Sequence, residues 1–309
     1  MLCPAPKCPS IDLRSLSPND PEVPASVREH LTQALQVRGT LVEAHRIAIV
    51  GKRECDPEAR MFALDLAAAC ARAGWTVVSG GALGIDRAAH EGALRAGGRT
   101  WAFLPTSPEH VFPRENEKLF DVIAGNGGAL IWPFSRGVPA RSPGFRFRNR
   151  LLVNAAEHVV VVQAGARSGS IHAAHEALRA KRELWVASPP FWSRNFDGSK
   201  ELLQKKGARP LFSIAQMLEA LGISPGEERR PSAHTLEEGQ EVPPALTGPL
   251  QKKIWASLTH EPLHIEAICM KLQEPCQTVQ TELLTMTLED VVVEQPSSFF
   301  RRSSLCCRP

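Results

Sequence analysis

Residues 76–90 read TVVSGGALGIDRAAH, a β-branched run from Thr76, a glycine-rich turn, and the start of an alanine-rich helix that reaches His90. Val77 and Val78 predict a buried parallel strand. Gly80, Gly81 and Gly84 permit backbone angles that side chains forbid, and the amides after them open a helix. Such a strand, turn and helix point backbone N–H groups at a place where negative charge is stabilised, so an anion is expected there. A single glycine loop also serves ordinary turns, and by itself it does not separate the two uses.

The alternation extends along the chain. Strands are predicted at Ile47–Val50, Trp75–Ser79, Thr100–Leu104, Ala129–Trp132, His158–Gln163 and Leu184–Ala187. Between them, helices are predicted at Glu58–Ala73, Ile85–Ala96, Arg114–Ala124, Asn149–Ala156 and Ser170–Lys181. Strands and helices alternating over short loops specify a parallel sheet covered on both faces, because right-handed crossovers put the helices there. The expected fold class is α/β, an extended Rossmann-like parallel-sheet domain over 46–222, with ligands gathering where strand ends meet helix starts.

Residues 1–45 are weakly patterned and form an N-terminal extension, with a helix suggested only at Ser26–Val37. Residues 223–245 are rich in Pro, Glu and Ser and read as a linker. Over 246–302, helices at Gln251–Leu258, Ile265–Leu272 and Thr278–Leu288 precede a hairpin of Val291–Val293 and Phe299–Arg301. That order suggests a small C-terminal winged helix, with 303–309 as a tail. Its third helix, extended to Glu289, carries no Lys or Arg, which disfavours duplex DNA as its ligand.

A chain of 309 residues suits two domains. The net charge is only +3, yet residues 46–222 carry 24 basic and 16 acidic side chains against 8 and 12 in 223–309. A polyanion is therefore expected to meet the first domain, since attraction follows local potential. Eight cysteines without a CxxC pair, in a chain too long for a disulfide scaffold, predict reduced thiols. No stretch approaches the roughly 18 apolar residues of a membrane span, and the N-terminus lacks the pattern of a leader. A cytoplasmic location is expected.

Three strand-end loops should share one edge of the sheet: Gly51, Lys52 and Arg53; Ser79, Gly80, Gly81, Gly84 and Asp86; and Arg167, Ser168, Gly169 and Ser170. Glycines allow close backbone approach, the serines supply hydroxyls, and Lys52, Arg53 and Arg167 add positive charge. Together they predict a phosphate cradle. Residues 134–150, FSRGVPARSPGFRFRNR, hold five arginines and no acid, with Phe145 and Phe147 set among Arg146, Arg148 and Arg150. This strip suits single-stranded nucleic acid, with arginine forks on phosphates and phenylalanine faces on bases. The other reading makes the phenylalanines core and the arginines a solvated rim.

Asp86 and His90 share a helix face and could exchange protons, but Asp86 at a helix start is explained by the helix dipole and by hydrogen bonding into the glycine loop, and no nucleophile or second carboxylate accompanies them. His172, His175 and Glu176 lack the spacing of a metal site. Neither metal nor cofactor is predicted.

These residues resemble the DprA/Smf family of DNA-processing proteins of bacterial transformation. AIVGKR (Ala48–Arg53) is similar to the family's AIVGSR, and VVSGGALGIDRAAHEGAL (Val77–Leu94) to its VVSGLARGIDAAAHRGAL. FPRENEKLF (Phe112–Phe120) is similar to YPxxNxxL, FRFRNR to FPxRNR, and ARSGS contains the SGS loop; the likeness covers roughly Leu35–Leu221. The resemblance implies a homodimer that binds single-stranded DNA without sequence preference, protects incoming strands and promotes RecA loading in recombination, without catalysis. It assigns phosphate contacts to Arg53, Arg148, Asn149 and Arg150, a base stack to Phe145, and the pocket floor to Ser168–Ser170 with Gly80–Gly84. Lys52, Leu83 and Arg146 depart from the family pattern, which has serine, arginine and proline there. The alternative is a nucleotide-binding sensor or nucleotide hydrolase of the wider superfamily, though the PGGxGTxxE motif of those hydrolases is missing.

Overall fold

The computed structural model describes residues 13–190, 193–223, 248–258, 263–288, 291–295 and 299–302. The chain divides into two compact units, Met1–His234 and Thr235–Pro309. The expected linker and tail lie almost wholly outside the described residues.

In chain order the first unit contains β1 Leu13–Leu16, α1 Ala25–Arg28, β2 Leu35–Gly39, β3 Arg46–Val50, α2 Pro57–Arg72, β4 Thr76–Ser79, α3 Ile85–Arg95 and β5 Thr100–Phe103. There follow α4 Glu117–Gly125, β6 Ala129–Trp132, α5 Ser142–Ala155, β7 His158–Val161, α6 Gly169–Arg179, β8 Glu183–Ala187, α7 Asp197–Leu203, β9 Ala208–Leu211 and α8 Ile214–Ala220. The nine strands form one sheet in the order β1-β2-β6-β5-β4-β3-β7-β8-β9. From β6 to β9 every pairing is parallel. Strands β4, β5 and β6 are buried at every position, as both-face coverage by helices requires.

Strand order reverses between β4-β3 and β3-β7, so the crevice outside the carboxyl ends of β3 and β7 is the topological switch point. This places the loops after β3, β4 and β7 at one edge. Lys52 N donates to Gln163 O at 2.8 Å, and Asp56 N donates to Gln163 Oε1 at 2.9 Å, tying the first and third of these loops together.

The N-terminal extension departs from expectation. Only Ala25–Arg28 is helical within the suggested Ser26–Val37, and Leu35–Gly39 instead forms β2, antiparallel to β6, with β1 antiparallel beyond it. Alternating burial of Leu35, Val37 and Gly39 is the signature of a strand with one buried face, and five residues are too few to reveal it against a helix former such as Ala34. Strand β9 and helix α8 were likewise not foreseen.

The second unit contains α9 Pro249–Ser257, β10 Leu263–His264, α10 Ile265–Leu272, α11 Cys276–Leu288, β11 Val292–Gln295 and β12 Phe299–Arg302. Its strands pair antiparallel in the order β10-β12-β11. Ile254, Leu258, Ile268, Val279, Leu283, Met286 and Phe300 make its core. The strand β10 adds to the hairpin expected from the sequence.

No helix among the described residues is long and apolar enough to cross a membrane. The four described cysteines are free thiols.

Candidate nucleic-acid interface

The glycine turn after β4 does not stand open. Asp86, in the first turn of α3, is 5% exposed and turns its carboxylate back into the turn, where Ala82 N donates to Oδ2 at 3.4 Å. Ile85 N donates to Lys52 O at 3.2 Å. The anion expected at this helix start is thus the chain's own. Burial lifts the Asp86 carboxyl above its ordinary range, against the pull of Arg148 and of the Ala82 and Gly51 N–H groups.

Arg148 comes from α5 and sits 4% exposed, Nη1 3.9 Å from Asp86 Oδ2. Burial lowers its pKa to about 10, opposed by Asp86 and assisted by Arg53, so the guanidinium is charged at neutral pH. It fits because residue 80 has no side chain: a Cβ on Gly80 would collide with Arg148 Nη1. At Gly84, φ is +73°, and a Cβ would strike the carbonyl oxygens of Lys52 and Arg53. Asn116 braces the turn from outside, Nδ2 donating to Gly81 O at 3.0 Å.

This arrangement revises several sequence-based roles. Ser79 is fully buried and donates to Ile49 O at 2.6 Å. With Gly80, Gly81, Gly84, Asp86 and Arg148 it forms the wall of the site, and none of these side chains is presented to a ligand. Arg148, expected to contact phosphate, is enclosed behind the Phe145 ring at 4% exposure.

The side chains that do face outward stand on that wall. Phe145 lies one turn before Arg148 on α5 and is partly exposed. The Arg53 guanidinium carbon is 5.0 Å from its ring centroid, the Arg148 one 5.9 Å, and Phe112 meets it edge-on at 5.8 Å. Arg53 itself is exposed. Lys52 Nζ donates to Asn195 Oδ1 at 3.2 Å, and Asn195 Nδ2 donates to Asp56 Oδ1 at 2.7 Å, which brings a residue from beyond β8 to the same edge.

The Phe/Arg strip is helical from Ser142, seven residues earlier than expected, and the helix sorts its members. Phe147 packs on the core and on Phe134, ring centroids 5.8 Å apart. Arg146 and Arg150, one turn apart, are exposed on another side of α5. Asn149 Nδ2 donates to Gly169 O at 3.4 Å, linking α5 to the start of α6. There Ser168 caps the helix and shares a 2.7 Å hydroxyl contact with Ser170, while Gly169 and Arg167 are exposed.

Sequence reasoning missed Gln163, Asn195, Asp56 and Phe112 as members of this edge. Only Phe112 carried a signal, through the FPRENEKLF segment.

His90 is fully buried, its Nδ1 2.7 Å from Thr100 Oγ1. Thr100 donates its own proton to Val77 O at 2.8 Å, so it accepts from the imidazole and the His90 proton sits on Nδ1. Burial, with repulsion from Arg148, pushes the pKa down from 6.5 to about 3. In that window the unfolded chain binds a proton that the fold refuses. The stabilisation is complete above the ordinary value and is lost as pH falls toward about 3, by about 1.4 kcal/mol per pH unit. Urea unfolding of wild type and His90→Asn should therefore show a stability gap that narrows on acidification; parallel pH dependences would refute it. Enclosed and neutral, His90 makes no acid–base pair with Asp86 for a substrate. Among the described residues no three His, Cys, Asp or Glu side chains group as metal ligands.

Residues 14–222 match the family model described as DNA recombination-mediator protein A. The chain belongs to this family. Protein Smf of Synechocystis is 26% identical over 93% of this chain and 79% of its own length. The structure of DNA processing protein A from Streptococcus pneumoniae superposes with a TM-score of 0.62 at 27% identity, covering 68% of this chain and 74% of that one. The Helicobacter pylori DNA processing protein A, whose structure concerns its mode of single-stranded DNA binding, gives 0.60 at 28% identity, covering 69% and 96%. The mostly parallel α/β unit described above is thus the fold of DNA-processing proteins.

Proposed function

We propose that this chain binds single-stranded DNA without sequence preference at the switch-point edge, and that it serves as a non-catalytic mediator that protects strands and passes them to RecA. The observation that carries this reading is the exposed Arg53 guanidinium lying on the partly exposed Phe145 ring, above a wall that holds both in place. An incoming base takes the Phe145 face, which accepts any base, and Arg53 turns outward to a phosphate. Lys52, Arg167 and the open first turn of α6 at Gly169 supply further places for backbone phosphates. The single-stranded DNA named for the Helicobacter protein supports the ligand class.

A homodimer and a cytoplasmic location complete the reading. The second unit, three helices with a three-stranded antiparallel sheet, is read as a winged helix that meets protein and not duplex DNA, since α11 holds Glu282 and no basic residue.

The test is titration of a fluorescent oligothymidylate and of a matched duplex across a salt series. The single strand should bind far more tightly, with log affinity falling by about 0.7 for each phosphate contacted per decade of salt. Equal binding of both, or tighter saturable binding of a mononucleotide, overturns it.

A further inference from the structure

A second basic site lies away from the cradle. Ser26 and Glu29 of the N-terminal extension, with His30, face Arg150 and Asn154 of α5 and Arg179 and Arg182 at the end of α6, around a groove of about 530 Å³. We infer that this groove holds the continuation of the bound strand, its arginines taking backbone phosphates beyond those in the cradle. The inference rests on the single-strand reading and extends it to a longer footprint.

Geometry supports the path. Helix α5 begins at the cradle with Phe145 and runs to the groove with Arg150, about 7.5 Å farther along its axis at 1.5 Å per residue. Arg146 and Arg150 repeat at one turn on the exposed side, and α5 contains no acidic residue to repel a polyanion between the two sites.

The groove is also built. Arg182 Nη2 donates to Asn154 O at 3.0 Å, and Ser26 Oγ donates to the same oxygen at 2.6 Å. Asn154 Nδ2 returns to Arg150 O at 2.9 Å. Arg182 Nε is buried without a partner. The Arg182 guanidinium is therefore fixed before any ligand arrives, which lowers the ordering cost of binding. Arg179 is paired with Glu176 at 2.8 Å but remains 75% exposed, so a phosphate can compete for it. Glu29 is the groove's exposed carboxylate and the one group there that opposes an anion without an arginine partner among the described residues.

The experiment compares oligothymidylates of about two and about twenty nucleotides on the full-length protein, the shorter confined to the cradle and the longer able to reach beyond it. Arg179→Glu should weaken the long strand about tenfold, flatten its salt slope by about 0.7, and leave the short strand within about twofold. Glu29→Gln should tighten the long strand about twofold, a gain that no unfolding can produce. Equal losses on both lengths, no loss on either, or no gain from Glu29→Gln would overturn the inference while leaving the cradle intact. Failure of the wild type to bind either strand would instead remove the cradle reading, and this inference with it.

Discussion

Asp86→Ala is expected to cost the fold about 3–5 kcal/mol, because it strips the carboxylate from a buried charge while leaving the charge. Arg148 is 4% exposed and is still protonated at neutral pH, with its pKa lowered only to about 10. Its Nε already lacks a hydrogen-bond partner, and Asp86 Oδ2 at 3.9 Å is the facing anion. Neither solvent nor a flexible neighbour can take over, since Gly80 packs directly against the guanidinium. The reverse change, Arg148→Met, leaves Asp86 held by the Ala82 and Gly51 N–H groups and should cost less. The double variant Asp86→Ala with Arg148→Met removes both charges and should recover about 2 kcal/mol or more of the first loss, since a buried pair is readily replaced by apolar volume. Urea midpoints of the four proteins complete the cycle. Strictly additive losses would show that the two groups do not sense each other.

That pair also marks where sequence stops being sufficient. The parallel sheet was legible because β4, β5 and β6 are buried on both faces and read as unbroken apolar runs, and because the glycine turn after Ser79 announces a helix start. The hydrogen bond of Asp86 into the glycine turn was legible in the segment itself, whereas its pairing with a buried cation was not, because Arg148 arrives from α5. The Phe/Arg alternation of residues 145–148 has a period of two and suggests a flat strip with every arginine available. Wound into α5 from Ser142 onward, the same residues part into a partly exposed ring, a buried cation, a core phenylalanine and an exposed arginine. Asn195 and Asp56 were invisible for a different reason: their contact with Lys52 depends on β8 lying beside β7, which no local pattern encodes.

The largest effect on ligand binding should come from Phe145. Phe145→Ala removes the ring on which a base is proposed to stack, a loss of about 1–3 kcal/mol, or about 5- to 150-fold in affinity for an oligothymidylate. Arg53→Ala removes a phosphate partner and should flatten the salt slope by about 0.7, with a smaller loss at high salt than at low. The double variant should lose less than the sum, because the Arg53 guanidinium rests 5.0 Å from the Phe145 centroid and each side chain holds the other in place. Phe145→Trp should keep most of the affinity and Phe145→Leu should not, since leucine preserves the packing against Phe112 but offers no π face. Arg148→Met, which removes a buried cation that lies against the Phe145 ring and is not presented to phosphate, should change affinity without changing the slope. If Phe145→Leu binds as tightly as wild type, the ring is packing and not platform. The strand would then have to be held by the arginines and by the first turn of α6, and discrimination against duplex, which cannot offer an unpaired base, would lose its physical basis at this edge.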